Sequence, residues 1–384
     1  MRVQGLKWYG GAAVLLIVLA LVVWRRSRGT DPGGSALVSS NALPQEVTSP
    51  AGAAGAAGGA KAELGDQLRA AKVALANASD AAGKQQALAV LRQALLGGSA
   101  NDTAAAIRQL LDSKADAPTG QGFKVGGGGS LTEAPTLRTF LLDQLGRLDP
   151  AAAAAYARII LSRMDSPDEW AVALRSLAVG DTSPSGRALL GQKIAELLRY
   201  EPWQRDPSVG YLEAFDAAVF LGDTNLAPAL ADLVRRQDNS AVSHAAYLAL
   251  DRMIINDASQ LLSALEAAPE MMQGREATRA DYFARADVRD PQQRQVLESY
   301  LLAPGRSAAE LAQFAGVFPN ANYMISHNLL TSTPTPDRAA LTSRDAASLQ
   351  VVQEWLADPR FAKLQRPLQK VKQRLEDFAR QSSR

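Results

Sequence analysis

An internal repeat constrains this 384-residue chain more than any other feature of its sequence. Arg163-Met164-Asp165-Ser166 recurs as Arg236-Gln237-Asp238-Asn239, an offset of 73, and Leu177 returns as Leu250 at the same offset. Between them, Ile194-Ala195-Glu196-Leu197-Leu198-Arg199 matches Leu230-Ala231-Asp232-Leu233-Val234-Arg235 at an offset of 36. Gly180-Asp181-Thr182 and Gly222-Asp223-Thr224 stand 42 apart, which implies about six extra residues in the first turn of one unit. A unit of 36–42 residues holds two helices. One such pair cannot bury its apolar stripe, whereas stacked pairs bury a continuous core. The repeat therefore predicts an all-α chain built as an α-solenoid. The alternative is a compact helical bundle whose Ala/Leu-rich helices merely look alike.

The local pattern agrees. Leu64, Leu68, Ala71 and Leu75 follow helical spacing, as do Leu88, Leu91 and Leu95, then Ile107, Leu110 and Leu111. Gly97-Gly98, Gly180-Asp181, Gly222-Asp223 and prolines 150, 167, 202, 207 and 291 cut the pattern into short helices. Further helices are expected over 276–286, 291–302, 307–316, 344–357 and 360–380. The stretch from Leu221-Gly222-Asp223 through Pro228, Leu230, Leu233-Val234-Arg235-Arg236 and Ala245-Ala246-Tyr247-Leu248-Ala249-Leu250 resembles a HEAT repeat. It has a Gly-Asp turn, an early proline in the first helix, paired aliphatics at its end and an Ala/Leu-rich second helix. The resemblance covers 213–255 and is weaker over 140–212. It implies a stacked helical array that binds other proteins. Tetratricopeptide repeats require a 34-residue spacing and aromatic positions that this chain does not meet.

The chain ends differ from its body. The 17 residues from Trp8 to Trp24 carry no charge, and as a helix they rise about 25 Å, enough to cross a thin bilayer. Trp8, Tyr9 and Trp24 sit where aromatic rings favour the interface, and Arg25 and Arg26 close the run. Charged residues follow where a cleavage site needs small ones, so an uncleaved signal-anchor is expected. A short tail before one span places the large domain beyond the cytoplasm. The expectation is a single-pass protein of the inner membrane with a periplasmic domain.

The organisation read from composition is an anchor over 1–28, an Ala/Gly/Pro-rich flexible linker over 29–60 and a small helical subdomain over 61–113. A Gly-rich flexible loop over 114–134, a HEAT-like domain over 135–330 and C-terminal helices over 331–384 follow. Residues 1–30 hold five basic residues and no acid, and 360–384 hold eight basic residues against Glu376 and Asp377. With a net charge of +2 overall, the body is acidic, which disfavours nucleic acid. The last helix places Phe361, Leu364, Leu368, Val371, Leu375 and Phe378 on one stripe. It is expected to cap the array, with docking to an anionic partner as the alternative use of its basic face.

The sequence offers little chemistry. There is no cysteine, and the only histidines are His244 and His327, so thiolate, multi-histidine metal and most histidine-based catalysis are not expected. Gly120-Gln121-Gly122-Phe123-Lys124-Val125-Gly126 lacks the spacing, the preceding strand and the following helix of a dinucleotide loop. No cofactor is expected. Asp165-Ser166-Pro167-Asp168-Glu169 reads as a helix N-cap followed by acids in the first turn. The expected function is a membrane-anchored scaffold or adaptor that binds a protein partner in a cell-envelope assembly. Trp170, Trp203, Tyr211 and Tyr247 are the candidate contact residues, because aromatic side chains dominate interface energetics. The alternatives are an enzyme acting on an envelope polymer through Asp168, Glu169 and Glu213, and a passive spacer.

Overall fold

The computed structural model describes residues 53–322, 326–333, 335 and 337–382. The anchor residues Trp8, Tyr9, Trp24, Arg25 and Arg26, and most of the linker, lie outside them. Among the described residues, no helix is long and apolar enough to cross a membrane.

Helix α1 (Ala53–Asn77) starts inside the stretch expected to be linker. Alanine is the strongest helix former, and once Leu64, Leu68, Ala71 and Leu75 bury one face the helix extends backward through Gly55, Gly58 and Gly59. Helices α2 (Ala81–Gly97) and α3 (Ala100–Asp112) pack on α1, and α3 packs in turn on α4 (Leu137–Leu148). The apolar core runs without a break from Leu64 to Leu375, so 61–113 is the first part of one body.

Residues 114–134 were expected to be a flexible loop. They form an antiparallel hairpin, β1 (Lys124–Val125) with β2 (Leu131–Glu133). Phe123 and Leu131 are buried, Thr119 Oγ1 donates to the Ala134 carbonyl, and the Leu131 amide donates to Asp143 of α4. The glycines are used for close approach. Gly129 has φ +78°, and a Cβ there would lie 2.2 Å from the Leu329 carbonyl oxygen.

From α5 (Pro150–Ile160) onward, six helix pairs follow one another. They are α5 with α6 (Pro167–Gly180), and α7 (Pro184–Arg199) with the broken segment α8 (Glu201–Arg205), α9 (Val209–Glu213) and α10 (Asp216–Leu221). Next come α11 (Ala227–Arg235) with α12 (Ser240–Asn256), and α13 (Ala258–Ala267) with α14 (Glu276–Phe283). The last are α15 (Pro291–Leu302) with α16 (Ala308–Val317), and α17 (Arg338–Ala357) with α18 (Gln365–Ser382). The second helices pack beside one another, α6 on α9 and α10, these on α12, α14 on α16 and α16 on α18, while among the first helices α7 packs on α11 and α13 on α15. The caps explain the breaks: Ser166, Ser183, Asn239, Asp257, Asp290 and Ser307 each accept from an amide in the first turn, at about 1 kcal/mol apiece. The extra residues of the longest early unit sit between α7 and α10, where Pro202 and Pro207 interrupt the helix, and not in its first turn.

A second short hairpin, β3 (Ser326–His327) with β4 (Ser332–Thr333), is inserted before the last pair. Helix α18 closes the array. Leu368, Val371 and Leu375 are buried, Arg374 donates to the carbonyls of Ala315 and Phe318, and Lys363, Arg366 and Lys370 face solvent. Phe378, placed on the apolar stripe by the sequence, is 44% exposed near the end of the helix.

Candidate functional site

Buried Arg–carboxylate pairs tie α6 to α4, α12 to α10, the end of α14 to α12, and α14 to α16. Arg175 meets Asp143 at 2.8 Å, Arg252 meets Asp216 at 2.8 Å, and Arg285 grips Asp251 through two bonds of 2.8 and 2.7 Å. Arg279 holds Glu310 in the same two-pronged way, with the Tyr300 hydroxyl donating to the same carboxylate. Bidentate pairing fixes orientation as well as distance, so the ladder sets the register between units. Burial raises the Asp251 carboxyl above its ordinary value even with Arg285 bound to it.

One rung also holds a surface feature in place. Asp216 is almost fully buried, and beyond Arg252 it accepts from the amides of Leu330 (2.7 Å) and Thr331 (2.9 Å) and from the Thr331 hydroxyl. Arg252 also donates to Thr331. The β3–β4 hairpin is thereby locked onto the second layer, with Leu329 packed beneath it against Gly129 of the other hairpin.

Two apolar hollows flank this lock. The first is a groove of about 260 Å³ between the α9–α10 segment and α12. Leu212, Phe215, Ala241, Ala245, Leu248 and Ala249 line it, with Glu213, Asp216, His244, Arg252 and Asn328 as its polar members. The alanines keep it open, since their side chains stop at Cβ. The second, of about 220 Å³, lies between the hairpins, with Val179 and Phe220 exposed beside Leu329 and Leu330. Glu213 is the electrostatically unusual member of the groove. Burial raises its carboxyl above the ordinary carboxylate value, the neighbouring Asp216 charge adds to this, and Arg252 opposes it.

The aromatic residues singled out from the sequence lie elsewhere. Trp170, Trp203 and Tyr211 are core residues, stacked edge to face in a row that continues to Phe215, with centroids 5.5, 6.3 and 5.4 Å apart. They fill the irregular space that the broken α8–α10 segment leaves, where large rings bury most area. The Trp170 indole N–H donates to the Arg163 carbonyl, and the Tyr211 hydroxyl, buried without a hydrogen-bond partner, is pushed well up. Tyr247 is half-buried between the faces of His244 and Tyr282, and burial pushes its hydroxyl up to about 12. None of the four lines the groove.

The three carboxylates considered for catalysis do not converge. Asp168 accepts from the Ser208 hydroxyl and the Gly210 amide, so it anchors the start of α9. Glu169 stands in the first turn of α6 and is clasped by Arg138 at 2.8 and 3.1 Å, in a separate cleft of about 270 Å³ near Tyr156 and Arg163. Glu213 belongs to the groove. Two paired carboxylates and a third in another hollow make no general acid–base couple. Among the described residues, no three His, Cys, Asp or Glu side chains gather as a metal ion requires.

Comparison of the chain with family models, curated proteins and solved structures finds no match. The surface itself is therefore the ground for any functional reading.

Sequence reasoning missed Asp216, Arg252 and the groove. A signal was present for the ladder: Asp216 and Asp251 lie 35 apart and Arg252 and Arg285 33 apart, close to the repeat period. Nothing in the sequence pairs 216 with 331.

Proposed function

We propose that the chain is a membrane-tethered α-solenoid of HEAT-like helix pairs, serving as a scaffold or adaptor for a protein partner in an envelope assembly. The apolar groove along α12, held open by alanines and closed at one side by a locked hairpin, carries this reading. Protein segments dock in such grooves between helices by burying apolar side chains. The adjoining hollow with exposed Val179 and Phe220 extends the apolar surface, as expected for an interface that a partner covers. The uncharged run 8–24 supplies the tether, and α18 supplies a polar terminal face.

The test is crosslinking in cells followed by purification of the full-length chain from membranes. A reproducible protein partner that is lost in Leu248→Arg, with helical content unchanged, supports the adaptor. Recovery of the same material from wild type and Leu248→Arg refutes the groove, and recovery of the chain in the soluble fraction refutes the tether.

A further inference from the structure

The groove contains a carboxylate that no described residue pairs directly. Among the described residues, none donates a hydrogen bond to Glu213 or forms an ion pair with it, and it is half-buried as the last residue of α9, beside Leu212. Arg252, the cation whose charge reaches it, is bound to Asp216 and Thr331. His244 stands on the exposed rim, stacked with Tyr247. A half-buried carboxylate in an apolar hollow is costly when unpaired, and a charge-assisted hydrogen bond removes that cost. The linker that leads into α1 does not supply the cation: residues 29–52 contain no lysine or arginine.

We propose that the groove takes a segment of another protein that buries apolar side chains against Leu248 and Phe215 and presents a lysine or arginine to Glu213. This rests on the adaptor reading and names the chemistry of the partner. Apolar contact with Ala245, Leu248 and Phe215 provides affinity. Glu213 provides discrimination, because an acidic or neutral residue at that place leaves its carboxylate unpaired.

The experiment is selection of a random 12-residue phage-displayed peptide library on the full-length protein in detergent. Wild type, Glu213→Gln, Glu213→Lys and Leu248→Arg are each checked first for unchanged helical circular dichroism. Wild type is expected to enrich peptides with apolar positions around one Lys or Arg. Replacing that Lys or Arg by Ala in a selected peptide weakens binding to wild type about tenfold or more, and to Glu213→Gln less than about twofold. Glu213→Lys shifts the selection to Asp or Glu at the same place. Should Glu213→Lys fail to fold, Glu213→Gln and the peptide substitution complete the cycle. Peptides displaced by Leu248→Arg but indifferent to the charge at 213 overturn this proposal and leave the groove intact. No Leu248-dependent peptide from wild type overturns the adaptor reading itself.

Discussion

Replacing Asp216 by Ala tests how the hairpin lock is built. In the intact protein the carboxylate is 3% exposed, its partner Arg252 is 18% exposed, and two hairpin amides point at it. If the hairpin stayed docked in Asp216→Ala, a buried guanidinium would lose its counter-charge at about 3–5 kcal/mol. The amides of Leu330 and Thr331 would each add about 1–3 kcal/mol as orphaned donors. If the hairpin lifts instead, all three groups reach water. The loss is then the burial of Leu329, about 1.5–3 kcal/mol, together with net hydrogen bonds of about 0.5–1.5 kcal/mol each. Lifting is the cheaper route, so the expected destabilisation is about 3–5 kcal/mol and the damage is local. Urea denaturation gives the magnitude, and hydrogen exchange read by mass spectrometry gives the place: peptides covering 326–333 should exchange as free chain while α12 stays protected. A loss under about 1 kcal/mol with 326–333 still protected would refute the account of the lock.

Three further perturbations discriminate between core, junction and groove. Gly129→Ala combines a positive φ with a Cβ 2.2 Å from the Leu329 carbonyl, and should cost about 1–3 kcal/mol with raised exchange in both hairpins at once. Trp170→Ala removes a fully buried ring and should cost about 3–5 kcal/mol in denaturation, while the folded variant still binds any groove ligand with wild-type affinity. Glu213→Gln should stabilise the unliganded protein. The folded-state pKa of Glu213 is raised, so its ionised form opposes folding; the cost vanishes below the ordinary value of 4.5 and is complete above the raised value. The gain should therefore appear as pH rises through the carboxylate range, and a gain equal at pH 3 and pH 7 would contradict it.

The helices were legible because each carries its own evidence. The apolar spacing of α3, the Ser166 cap with Pro167 and the prolines 150 and 291 act over one or two turns, so they act the same way in any tertiary setting. Residues 276–286, 291–302 and 307–316 were placed within three residues of α14, α15 and α16. The glycine-rich 114–134 stretch was misread for the opposite reason. Flexibility and tight contact call for the same residue, and only the Leu329 carbonyl facing Gly129 distinguishes them. Three of the four aromatic residues, Trp170, Trp203 and Tyr211, are core residues for a like reason. A ring that can anchor an interface can equally fill a core, and the row from Trp170 to Phe215 went to the core because α8–α10 left a gap only rings fill.

Sequence alone determined the all-helical class and most of the helix breaks, since these follow from interactions a few residues apart. Tertiary structure decided which carboxylates are paired, where the hairpins dock and which apolar side chains are left facing a groove. Asp216 and Thr331 are 115 residues apart in the chain and hydrogen-bonded in the fold. Only the packing of the helices brings them within reach and leaves Glu213, three residues earlier, without a partner among the described residues.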